Sequence, residues 1–120
     1  ELIDIPPYAA AGRGDSYGVN AWIGPPGTVS PLHRDPTHNL LLQLYGHKRI
    51  LLYHDSPNLY PFPERTRANT SQVDPECVDR SCFGDFPVAP SFTATCLGPG
   101  DLLYIPRGMW HHVRALSSCP

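Results

Sequence analysis

Ser30-Pro31-Leu32-His33-Arg34-Asp35-Pro36 is a stretch held near extended geometry at both ends, because proline and the residue before it both disfavour helix. On an extended strand, residues two apart point to the same side, so His33 and Asp35 can reach one metal ion together. Far downstream, Gly98-Pro99-Gly100-Asp101 reads as a turn and Leu102-Leu103-Tyr104-Ile105-Pro106 as a short apolar strand leading to Trp110-His111-His112. A histidine from that second stretch completes two imidazoles and one carboxylate. Such a set covers one face of an octahedral ion and leaves positions open for a cosubstrate and O₂, the arrangement of a non-haem Fe(II) site. Periodicity does not choose between His111 and His112, which point to opposite sides of a strand and both have apolar neighbours. The competing reading makes His33 and Asp35 a local hydrogen-bonded pair and His111 a packed core histidine.

Composition narrows the surroundings of this pattern. With 15 prolines and 10 glycines among 120 residues, turns must be frequent and long helices are not expected. A hydrophobic share of 41% suits a globular, mainly all-β domain. A net charge of −2 gives no broad basic surface, so direct nucleic-acid binding is not expected. No apolar run is long enough to span a bilayer as a helix, so no membrane partner is expected either. The first residue is Glu1, and the chain is expected to be a piece of something longer. Cys77, Cys82, Cys96 and Cys119 lack the tight spacing of a zinc knuckle and are expected as free thiols, with a Cys77–Cys82 clip as the alternative. Asn69-Thr70-Ser71 matches a glycosylation acceptor but is read as an ordinary polar loop.

Strands are expected over residues 17–23, 28–32, 39–45, 48–53, 91–97 and 102–105. The runs 39–45 and 48–53, joined by Gly46-His47, read as a β-hairpin with a type II′ turn. Both are apolar on both sides, which suits central strands of a double-sheeted body. Residues 55–90 break into a Pro-, Asn- and Ser-containing segment. That segment is either a lid or binding element or a tolerated surface insertion.

Lys48 opens the second run. Facing inward with Ile50 and Leu52, it could meet a carboxylate of a small dicarboxylic acid; facing outward, it is an ordinary surface lysine. Ser30 and Asn39 flank the His33 triplet and could donate to the same anion. Strict alternation sets Ser30 out of phase with His33, so both face inward only if the strand carries a bulge near Pro31. Trp22 is read either as a wall of the pocket or as a core residue.

The chain resembles the JmjC-domain 2-oxoglutarate oxygenases. The resemblance is carried by Asn20-Ala21-Trp22-Ile23-Gly24-Pro25, by residues 27–36, by Gly46-His47-Lys48, by Asn69-Thr70-Ser71-Gln72-Val73-Asp74, and by the run from Pro106 through Trp110-His111 to Val113-Arg114-Ala115-Leu116. It implies a double-stranded β-helix, the cupin-like jelly roll. It further implies His33, Asp35 and His111 as Fe(II) ligands, with His112 outside the site. Lys48 would hold the distal carboxylate of 2-oxoglutarate, Ser30 and Asn39 would make further cosubstrate contacts, and Trp22 would stand beside the pocket. The implied activity is hydroxylation of a protein side chain with release of succinate and CO₂, with arginine hydroxylation favoured over N-methyl-lysine demethylation. The implied substrate is a protein or peptide, histones and other chromatin- or ribosome-associated proteins among them, in the nucleus or the cytoplasm. Family members carry further strands on both sides of the matched region, including a tyrosine that helps hold 2-oxoglutarate and has no counterpart in residues 1–18. A partial catalytic domain over residues 1–120, incomplete at both ends, is therefore expected. The alternative is a non-catalytic cupin-like module that binds a peptide or chromatin partner and keeps a vestigial metal site.

Overall fold

The computed structural model describes residues 7–10, 12, 14, 15 and 18–117. Among the described residues six strands carry the fold: β1 Val29–Arg34, β2 Asn39–Leu42, β3 Lys48–Tyr53, β4 Thr93–Leu97, β5 Leu102–Ile105 and β6 Trp110–Ala115. Among the described residues the only helical pieces are 3₁₀ turns of three or four residues at Pro7–Ala10, Pro57–Leu59 and Arg65–Arg67. The strands form two antiparallel sheets, one in the order β1-β6-β3-β4 and one pairing β2 with β5. The chain thus crosses between the sheets at β1–β2, β2–β3, β4–β5 and β5–β6, while β3 and β4 pair within one sheet, a crossing pattern like that of a cupin-like jelly roll.

The hairpin expected from residues 39–53 does not form. β2 stops at Leu42 and pairs with β5, while β3 lies between β6 and β4 in the other sheet. Gly46, at φ 64°, turns the chain from one sheet to the other, a conformation glycine adopts without a Cβ penalty. The two apolar runs look alike in sequence, yet Ile50 of β3 is fully buried whereas Leu40 and Leu42 of β2 are part exposed. Residues 18–23 also depart from expectation, since they run as irregular exposed backbone and not as a strand; Tyr17 lies outside the described residues. The outer edge of β1, where such a strand could pair, is already occupied. Arg34 N–H donates to Asn69 O at 2.8 Å and Ser71 N–H to Leu32 O at 2.8 Å, with an isolated bridge between His33 and Thr70.

Residues 55–90 are irregular, yet they complete the core. Leu32, Leu51, Tyr53 and Trp110 project from one face of the four-stranded sheet, and Leu59, Val73 and Phe86 of the long segment cover them. Leu59 is completely buried, which is worth roughly 1.5–3 kcal/mol of transfer free energy. Tyr53 packs against Phe86 and Phe92, and burial pushes its hydroxyl pKa up to about 12. Cys77, Cys82 and Cys96 are free and exposed, so no Cys77–Cys82 clip is formed; Cys119 lies outside the described residues.

Candidate metal centre

In antiparallel pairing, residues directly opposite one another project from the same face. His33 on β1 is opposite His111 on β6, and His111 is opposite Leu52 on β3. Both imidazoles therefore leave the sheet on the face opposite the Leu32–Trp110 core. Their ring centres are 4.2 Å apart. Asp35, just past the end of β1, places one carboxylate oxygen 3.7 Å from His33 Nε2 and the other 3.7 Å from His111 Nε2. One ligand atom from each of the three side chains lies within 4.8 Å of the other two.

The hydrogen bonds behind these rings fix their tautomers. His33 Nδ1 is 2.7 Å from Pro31 O, and His111 Nδ1 is 3.0 Å from Met109 O. A carbonyl oxygen only accepts, so Nδ1 carries the hydrogen in each ring and Nε2 keeps its lone pair toward Asp35. Burial lowers the His111 pKa, which favours the neutral, ligating form. Asn39 Nδ2 donates to Asp35 Oδ2 at 2.6 Å. Gly108 N–H donates to Asp35 O at 3.0 Å from a turn in which Gly108 adopts φ 78°. This donor set suits a divalent first-row ion: two neutral imidazoles, one carboxylate, and outer partners that orient all three.

The structure brings Ser30 and Lys48 to the same face. The register of β1 against β6 shifts between Ser30, opposite Val113, and His33, opposite His111. Three steps on β1 thus match two on β6, which is the bulge at Pro31 that an inward Ser30 requires. Lys48 is opposite Ala115 and shares its face with Ile50 and Leu52, about 13 Å along β3 from the His111 row. The residue is half-buried, with Leu97 and Ala115 opposite it on the neighbouring strands, and it pairs with no carboxylate among the described residues. Asn39 joins the site through Asp35. Trp22 is 72% exposed in irregular backbone and is not a core residue.

His112 points the other way, opposite Leu51, and is buried with neither ring nitrogen hydrogen-bonded among the described residues. Asp74 and Glu76 come close enough to form a second cluster with it. Sequence reading missed this group, and its signal is weak because the partners are scattered. Glu76 accepts from both Arg49 and Arg114, which hold its carboxyl down at about 2. With both oxygens committed to guanidinium groups, the cluster is already charge-compensated and repels a further dication.

The chain matches the cupin-like domain family over residues 3–119. It is 46% identical to lysine-specific demethylase 8 of Xenopus tropicalis over 97% of this chain and 27% of that protein. It is 48% identical to lysine-specific demethylase 8 of Danio rerio over 97% of this chain and 29% of that protein. Against Jumonji C domain-containing protein 5 of Drosophila melanogaster, identity is 42% over 96% of this chain and 30% of that protein. The chain thus spans less than a third of the length of each of these relatives. By family match, by fold and by the extent of these similarities, it belongs to the cupin-like domains of the JmjC proteins.

Proposed function

We propose that this chain carries the iron-binding face of an Fe(II)- and 2-oxoglutarate-dependent oxygenase that hydroxylates a protein side chain. One observation supports this reading above the others: His33, Asp35 and His111 offer three ligand atoms within 4.8 Å, with both Nδ1 hydrogens engaged elsewhere. A site of this kind, with Fe(II), 2-oxoglutarate and O₂, supplies oxidative decarboxylation to succinate and CO₂ coupled to hydroxylation of a C–H bond. The residues of the chain do the holding. The two Nε2 atoms and the Asp35 carboxylate would fix the metal on one side, leaving its other side to the cosubstrate. Asn39 keeps the carboxylate turned toward the imidazoles. Lys48, a cation without a carboxylate partner among the described residues and in a partly apolar setting, suits the far carboxylate of 2-oxoglutarate, with Ser30 on the rung between. Ile50, Leu97 and Ala115, on the same face as Lys48 by register, are buried and give that end of the sheet an apolar setting.

The target we favour is an arginine side chain of a nuclear protein. A hydroxylated N-methyl group on lysine would collapse to demethylation by the same route, in keeping with the names of the relatives. The test is succinate formation coupled to O₂ uptake by the full-length protein with Fe(II) and 2-oxoglutarate. Activity lost in His33→Ala, and a 2-oxoglutarate KM raised at least ten-fold in Lys48→Ala, is expected. Undiminished turnover in His33→Ala, or a wild-type protein that binds a peptide but never forms succinate, would contradict the reading and leave a binding module.

A further inference from the structure

Asp35 also lines a cleft of about 460 Å³ whose other walls include Arg34, Arg65, Asn69, Arg107 and Gly108. Three guanidinium groups around one carboxylate is a marked excess of positive charge in a chain whose net charge is −2. Arg34 is accounted for, since it bonds Asp55 Oδ2 at 3.0 Å and lies over the Trp110 ring at 5.1 Å. Arg65 and Arg107 are not: both are exposed, and among the described residues neither forms an ion pair, Arg65 not even with its neighbour Glu64. They come from unrelated segments, Arg65 from the short turn Arg65–Arg67 and Arg107 from the link between β5 and β6.

The chain near each is tied to β1 or to the residues just after it. Arg107 N–H donates to His38 Nδ1 at 3.2 Å, and the next residue, Gly108, donates to Asp35 O. Asn69, four residues after Arg65, donates its side-chain amide to Arg34 O and accepts from Arg34 N–H through its backbone carbonyl. Arg65 and Arg107 therefore line, from two separately held segments, the same cleft as Asp35. Like charges gathered there raise the local potential and favour a carboxylate, which the planar guanidinium fork can grip with two hydrogen bonds.

Resting on the proposed oxygenase reading, we infer that the polypeptide substrate presents an Asp or Glu side chain to Arg65 and Arg107 while its target residue reaches the metal centre. A lysine-rich segment would meet like charge at the same place. The test uses the full-length protein loaded with Mn(II) and 2-oxoglutarate, and three labelled Gly/Ser peptides with a central arginine flanked by two Glu, two Gln or two Lys. Fluorescence anisotropy at low salt is expected to show the Glu peptide binding about ten-fold tighter than the Gln peptide, and the Lys peptide weakest. The Glu preference should shrink to about two-fold or less in the Arg65→Gln/Arg107→Gln double variant, with Mn(II) affinity unchanged. Equal binding of the Glu and Gln peptides, tightest binding of the Lys peptide, or a preference undiminished in the double variant would overturn the inference. Binding needs no turnover, so succinate formation without acidic preference sinks this inference alone. An acidic preference without succinate formation upholds it and sinks the oxygenase reading.

Discussion

Two clusters of similar make-up occupy opposite faces of one sheet, and the adjacent residues His111 and His112 belong one to each. In the first, the groups hydrogen-bonded to the trio's side chains are neutral, namely Pro31 O, Met109 O and the Asn39 amide, and the arginines of the neighbouring cleft form no ion pair with Asp35. In the second, Glu76 is gripped by Arg49 and Arg114. Both could be written as histidine plus carboxylates, but in the second the two arginines on Glu76 offset the charge of its carboxylates, whereas in the first no cation pairs with Asp35 among the described residues. Ligand types within reach are therefore not enough. What the surrounding groups have already neutralised decides whether a cluster is a metal site or a structural ion pair.

The largest expected contrast is in metal affinity. Asp35→Ala should weaken Fe(II) or Mn(II) binding more than 100-fold in calorimetric titration, because a ligand is lost outright, while Asp74→Ala should change it less than about two-fold. Equal losses from the two substitutions would erase the distinction between the clusters.

Next comes stability. Glu76→Gln strands two guanidinium groups, one of them with a buried, unpartnered Arg49 Nε, and should cost about 2 kcal/mol in urea unfolding with metal affinity unchanged. The pH dependence has a defined sign. The Glu76 carboxyl is held at about 2 in the folded chain against 4.5 ordinarily, so its stabilisation is fully present above pH 4.5. That contribution drains away as pH falls toward 2, and the Glu76→Gln variant should lack this part of the acid profile. A variant with the same acid sensitivity as the wild type would show that the ion pairs carry little.

A smaller effect separates ligand from support. Asn39→Ala should lower metal affinity about ten-fold, between the effects at Asp35 and Asp74, by freeing the carboxylate to rotate. An Asn39→Ala chain that binds metal as the wild type does would remove Asn39 from the site's machinery.

How much of this was legible in the residues follows a physical division. His33-Arg34-Asp35 between prolines announces an extended pair of ligands, because the constraint is local. The need for a bulge at Pro31 also follows from alternation alone, and the register shift between Ser30 and His33 supplies it. His111 could not be told from His112 by pattern, since the answer depends on which face of β6 meets His33 and Leu52. The pairing of β2 with β5 was hidden for the same reason: residues 39–45 and 48–53 look like neighbours, and only distant partners assign them to different sheets. The Glu76 network joins residues 27 and 38 positions apart and leaves no periodic trace. Residues 55–90 read as loop because they are irregular, yet Leu59, Val73 and Phe86 pack the core from within that irregularity.

The most direct test of the central claim sets the neighbouring histidines against each other. Metal binding to the full-length protein is measured by anaerobic Fe(II) titration, with folding checked by circular dichroism, for His111→Gln and His112→Gln. One Fe(II) per chain, lost in His111→Gln and retained in His112→Gln, is the expected result. Binding that survives at residue 111 and disappears at residue 112 would place the metal on the other face of the sheet and contradict the account.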